Sequence, residues 1–220
     1  MKKKKTVIVL CSSVISAGMI FGLVYTGVLQ MTSASRLGDL YHSTADNYKS
    51  TVDKDHDGID DQTDILEGAV AYIETRPKYQ SKYYAGGYPD DGYGTCTDVV
   101  GYALKNAGYD LMTLVQQDIQ MNSKAYNIET PDANIDFRRV RNLNVYFKNT
   151  AVSLTTDISQ IDQWQGGDVV VFNNHIGIVS DRRNSQGIPY LIHHTGPFQF
   201  YYEENVLGKR KDIIGHYRIS

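Results

Sequence analysis

The sequence predicts an α+β domain in which helices come first, strands follow closely, and an antiparallel sheet packs against a helix near the middle of the chain. Two observations carry this reading. Apolar residues recur at helical spacing from Ile65 to Phe147, and from Val169 onward they gather in short β-branched or aromatic runs separated by Gly, Asn and Pro. A third sets the scale: 220 residues, 41% hydrophobic and 21% charged, suit one globular domain with an appendage.

The appendage is N-terminal. Met1 is followed by Lys2, Lys3, Lys4 and Lys5, and then by a nearly uncharged run from Thr6 to about Ser35. A basic stretch before a long apolar one is an export signal, so residues 1–35 are a signal peptide or a signal-anchor transmembrane helix. The run exceeds the roughly 7–15 residues of a secretory core, which favours the uncleaved anchor, with Thr32-Ser33-Ala34 as the alternative cleavage site. Retained lysines would keep the amino end in the cytoplasm. The domain is therefore expected at the extracellular face of the cytoplasmic membrane, or secreted. Residues 36–52 are polar, weakly periodic and expected to be a linker without fixed structure. The formal charge of −3 includes the four leader lysines, so the remainder carries −7. Such an acidic domain is a poor partner for nucleic acid.

Residues 53–64 read as a calcium-binding loop. Asp53, Asp55, Asp57, Asp61 and Asp64 take the first, third, fifth, ninth and twelfth positions, Gly58 takes the sixth, and the Ile59 carbonyl is the seventh. Hard oxygens alternating around a glycine turn suit a cation of 6–8 coordination. The loop resembles those of thrombospondin type-3 and dockerin repeats. It departs from a full EF-hand because Asp64 replaces the bidentate Glu. A structural ion is expected here, and no cofactor for catalysis.

Beyond the loop, Ile65, Leu66, Ala69, Val70 and Ile73 mark a helix that Pro77 ends, and Tyr83 to Pro89 is a Tyr- and Gly-rich loop. Thr95 is the N-cap of a second helix. Asp98 stands three residues on, Val99, Val100, Ala103, Leu104 and Ala107 form its apolar face, and Gly108 stops it. Leu111 to Met121 is a third helix, and Val140, Leu143, Tyr146 and Phe147 mark a fourth. Strands are expected at 169–172, 176–179, 190–193 and 216–219.

Chemistry centres on Cys96, because Cys11 lies in the leader and leaves it without a disulfide partner. At the first helical position its sulfur meets unpaired backbone N–H groups and the positive end of the helix dipole. A thiolate is expected, reactive even at pH 6. The bland alternative is a small hydrophobe in the core. A base must come from His42, His56, His175, His193, His194 or His216, of which the first two fall outside the predicted core. His175 opens a strand after Asn173-Asn174. His193 and His194 are expected on opposite faces of the next strand, so one of them can orient the base and the other is left for a surface or supporting role.

Trp164-Gln165-Gly166-Gly167-Asp168-Val169, His175-Ile176-Gly177-Ile178-Val179 and Leu191-Ile192-His193 resemble the base and third-residue strands of NlpC-like and CHAP peptidases. More closely, Gly86-Gly87-Tyr88-Pro89, Cys96-Thr97-Asp98-Val99-Val100, Asn134-Ile135-Asp136, Arg138-Arg139-Val140, Asn142-Leu143 and His216-Tyr217-Arg218 resemble the bacterial domain-of-unknown-function family 1287. This likeness spans roughly residues 65–220. It implies a papain-like NlpC-type fold with Cys96, His175 and His193 as catalytic residues in that order. It departs in having Thr95-Cys96 for the usual Asp-Cys pair, and in the long helical insertion between nucleophile and base.

The resemblance further implies a loop tyrosine at the oxyanion site, for which Tyr83 and Tyr84 are the candidates. Arg138 and Arg139 are candidates for a substrate carboxylate, with a structural ion pair to Asp136 or Asp118 as the alternative. The expected activity is cleavage of an amide, in peptidoglycan peptides or another cell-envelope substrate. The alternative is a non-enzymatic cell-surface binding module on the same fold.

Overall fold

Val169 to Phe172 is apolar at every position because the strand it forms is buried on both faces. The computed structural model describes residues 17–41 and 48–219. Beyond a helical stretch at 17–25, the elements are α1 (Asp61–Glu74), β1 (Lys78–Tyr79), β2 (Tyr93–Gly94), α2 (Cys96–Asn106), α3 (Leu111–Met121), α4 (Ser123–Tyr126), α5 (Ala133–Asp136) and α6 (Val140–Thr150). Then come β3 (Val152–Ser153), β4 (Val169–Phe172), β5 (Ile176–Arg183), β6 (Pro189–Ile192), β7 (Glu203–Glu204) and β8 (Ile213–Arg218). Six strands make an antiparallel sheet in the order β3-β8-β4-β5-β6-β7. β1 and β2 form a small parallel pair just ahead of α2. The mixed α+β class and its antiparallel sheet follow the sequence expectation.

Strand alternation divides the core in two. Val169, Val171, Ile176, Ile178 and Ile192 face the helices and pack with Ile65, Val99, Val100 and Ala103 of α1 and α2. Val170, Phe172, Val179 and Leu191 turn to the other side, under Trp164 and Leu207. Two buried carboxylates fasten these layers. Asp168 accepts hydrogen bonds from Gln62 of α1, the Gln165 N–H, His216 of β8 and a bidentate Arg218. His216 is thereby used up: its other nitrogen meets the Thr155 carbonyl, and its ring stacks on Trp164 at 3.8 Å.

Asp98 is the second carboxylate. It accepts the Thr95 N–H at 2.7 Å and the Thr95 hydroxyl at 3.0 Å, as the N-cap reading requires. It also takes the Arg138 guanidinium, Nε at 2.6 Å and Nη2 at 2.9 Å, while Nη1 goes to the Lys82 carbonyl.

The stretch expected to be an unstructured linker is tied down in the residues described. Arg36 pairs with Glu203 and Asp181, Leu37 N–H donates to Glu203, and Leu40 N–H reaches the Arg183 carbonyl. Ser50 N–H meets Asp60. The buried carboxylate of Glu203 requires a cation, and Arg36 supplies it. Residues 1–16 of the expected leader lie outside the described residues. Among the described residues no helix is long and apolar enough to cross a membrane.

Arg138→Ala should lower unfolding free energy by about 3–5 kcal/mol, because it strands the Asp98 charge in the core. Urea denaturation followed by circular dichroism measures this, and a loss below about 1 kcal/mol would contradict the assigned role.

Candidate active site

The capped start of α2 places Cys96 where helix backbone donors are unpaired. The backbone N–H groups of Ile176 on β5, of Thr97 and of Cys96 itself lie near enough to the sulfur to favour its anionic form. Ile176 directly follows His175, so the thiol lies at the head of the strand that carries the expected base.

His175 and His193 stand one residue outside β5 and β6. His175 Nε2 and His193 Nδ1 are 2.8 Å apart, and His193 Nε2 is 3.0 Å from Glu204 Oε2. Gly177 permits this approach, since a Cβ there would meet the Ile192 carbonyl at 2.8 Å and His193 Cβ at 3.1 Å. Gln199 holds the far end through the Glu204 carboxylate and the His193 carbonyl. The Glu203-Glu204 doublet divides by strand alternation. Glu203 serves Arg36 and Ser180, and Glu204 serves His193.

A carboxylate only accepts hydrogen bonds, so Glu204 fixes the proton of neutral His193 on Nε2. His193 Nδ1 is then an acceptor, His175 donates from Nε2, and the basic nitrogen of His175 is Nδ1. Among the described residues no hydrogen bond joins Cys96 to His175.

The electrostatics oppose the expected acidic thiol. Burial, with the charge of Asp98, pushes Cys96 up to about 11 against the pull of the three backbone donors. Burial, with His193 and Arg210, pushes His175 down to about 3. The resting pair is thus neutral thiol and neutral imidazole. Helix-terminus reasoning alone omits the desolvation that reverses its sign here.

Other sequence candidates fare differently. Tyr83 is exposed and accepts from Asn134, while Tyr84 donates to Asp91 at 2.8 Å beneath the Arg138 guanidinium. Both are engaged away from Cys96. Tyr79 on β1 pairs with Gly94 of β2, two residues before Cys96, and burial, with the Cys96 charge, pushes its hydroxyl upward. Arg138 is spent on Asp98 and is not a substrate fork. Arg139 is different: its side chain is 60% exposed, at 3.7 Å from Asp136. It lines a groove of about 890 Å³ that also includes Asn173 and Asn174, immediately before His175.

His194 is not at the surface. It is 1% exposed, edge-on to Tyr79 and Tyr202, and burial with His193 lowers it to about 4. His56 is exposed in the acidic loop, and His42 lies outside the described residues. Within that loop Asp53, Asp55 and Asp57 converge. Asp61 does not join them as expected, because it begins α1 and its oxygens take the Lys54 N–H and the Tyr109 hydroxyl.

Fold and site together describe a mixed α+β protein with a lone cysteine at a helix start and a His-His-Glu chain on the adjoining strands. The chain belongs to the family described as Domain of unknown function (DUF1287), which matches residues 66–219. It is similar to the Uncharacterized protein YijF of Escherichia coli (strain K12), 36% identical over 167 residues that cover 70% of this chain and 80% of that protein.

Alkylation of Cys96 by iodoacetamide should be slow at pH 6 and accelerate about tenfold per pH unit through pH 9, since only thiolate reacts. A rate already flat across that range would mean a preformed thiolate and would overturn the neutral resting pair.

Proposed function

We propose that the protein is an exported cysteine hydrolase of the NlpC-like, papain-related type, cleaving an amide in peptidoglycan peptides or a related envelope substrate. The observation that carries this is the hydrogen-bonded chain His175-His193-Glu204, which ends next to Ile176, whose N–H lies near the Cys96 sulfur. The mixed fold, with a helix-borne cysteine packed on an antiparallel sheet, is what a papain-like arrangement requires. The lysine-flanked apolar leader supports action outside the cytoplasm, at the membrane face or in the surroundings.

In the reaction, His175 Nδ1 takes the thiol proton as the sulfur bonds to the carbonyl carbon. The carbonyl oxygen gains the negative charge, and in this reading the Cys96 N–H receives it, with the Tyr79 hydroxyl as the candidate second donor. The C–N bond then breaks as His175 returns the proton to the amine. Water, deprotonated by His175, attacks the thioester and restores the thiol. Imidazolium exists only during these steps, and His193 backed by Glu204 stabilises it, as a third residue does in a triad. The groove at Arg139 suits a substrate that carries a carboxylate.

The suppressed thiolate and the missing Cys96–His175 hydrogen bond favour a second reading, in which the cleft binds an envelope ligand without cleaving it. Covalent chemistry separates the two. On a peptidoglycan-derived amide, Cys96→Ala should abolish turnover, and His175→Ala should lower it by about 10²–10⁴-fold. His193→Ala should cost less, and Glu204→Gln should lower kcat with little change in KM. An acyl adduct on Cys96 seen by intact-mass spectrometry in slow turnover supports hydrolysis. Retained ligand binding with no adduct and no product sinks it.

A further inference from the structure

The acidic loop ahead of α1 carries an observation independent of its ligand spacing. Asp64, one turn into α1, is 2% exposed, and its Oδ2 is buried without any hydrogen-bond partner. Neither of its carboxylate oxygens accepts a hydrogen bond among the described residues, and its charge is opposed by those of Asp57 and Asp55. A solvated acidic linker would leave this carboxylate in water. A buried carboxylate without donors, near enough to Asp57 and Asp55 for their charges to act on it, calls for a cation to offset its charge.

We propose that Asp53, Asp55, Asp57 and Asp64, with the Ile59 carbonyl, bind one calcium ion. One carboxylate oxygen from each of the first three lies within 4.8 Å of the others, the separation that ligands around one cation require. The loop is already wound for it. Asp53 accepts the His56 and Gly58 N–H groups, Asp57 accepts the Ile59 N–H, and positive φ at His56 (65°) and Gly58 (96°) makes the turn. The Ile59 carbonyl accepts no backbone hydrogen bond among the described residues and remains for the ion. The donor set is all oxygen and bears four negative charges, and water completes six to eight ligands. That set favours calcium over a transition metal, which nitrogen or sulfur would hold better.

The ion would fasten more than the loop. A Cβ at Gly108, which follows the end of α2, would lie 3.1 Å from Asp55 Cβ, so the loop rests directly on that end of the nucleophile helix. Asp61 ties the same loop to Tyr109 and to the Lys54 N–H. Calcium therefore braces α1 against α2 at the end opposite Cys96, as a structural ion and without a part in the chemistry.

Thermal unfolding of the full-length protein, stripped with a chelator and titrated with calcium chloride, tests this. The midpoint should rise by about 5–10 °C at a hundredfold excess over Kd. Asp64→Asn should lose that rise. Should Asp64→Asn fail to fold, Asp57→Asn decides, because that side chain is exposed and its replacement leaves the core intact. Terbium bound at the site should emit when tyrosine is excited, and calcium should displace it, a readout independent of stability. A midpoint that calcium leaves unmoved, or moves equally in both variants, overturns the assignment, as does terbium emission that survives Asp57→Asn.

Discussion

The position of Cys96 depends on the carboxylate of Asp98, buried two residues further along the same helix. Four donors converge on it: the Thr95 N–H and hydroxyl behind it, and two arms of Arg138 from beyond α5. The first pair sets where the helix starts, hence which residue has its side chain at the open end. The second fixes how that end meets the loop at Lys82. Arg138 therefore acts on the site through the backbone, and its side chain is too occupied to bind a substrate.

Asp168 repeats this device on the sheet. It gathers Gln62 from α1, His216 and Arg218 from β8, and the turn at Gln165. α1 is thus fastened both to the sheet, through Asp168, and to α2, by core packing. Cys96 comes from the helical layer and His175 from the sheet, and only the registry of the two layers decides their separation. The acidic loop that starts α1 rests against Gly108 at the far end of α2, so a bound ion there would act on how α2 is seated, at a distance from the sulfur.

The helices and strands were legible where burial is patterned. α2 could be placed from Thr95, Asp98 and the apolar spacing to Ala107, and β4 from four apolar residues between Asp168 and Asn173. Pairs of two residues, such as Tyr93–Gly94 or Glu203–Glu204, carry no period and could not be read. The same limit hid Tyr79 and Glu204. Tyr79 lies 17 residues before the cysteine and is brought next to Gly94, two residues from it, only by the parallel pairing of β1 with β2. Glu204 meets His193 only because β7 folds back on β6. Tyr83 and Tyr84 were closer along the chain, and chain proximity proved a poor guide in a loop whose shape is set by Asp91 and Asn134. The sequence likewise offered the dipole at the helix start but not the burial that outweighs it.

That burial bears on how the site would work. The Cys96 N–H lies near the sulfur, and in the proposed reaction the same N–H would be needed for the oxygen of a tetrahedral intermediate. A resting thiolate would hold its charge-assisted hydrogen bond, and transferring that bond to the oxyanion would then gain little. A neutral thiol binds the donor weakly and leaves its strength for the transition state, which is where an interaction must be stronger to accelerate a reaction. The cost is that proton transfer to His175 must accompany attack. In the proposed reaction the chain through His193 to Glu204 would meet that cost, because it would fix the receptive nitrogen beforehand and set a carboxylate where the new positive charge can be shared.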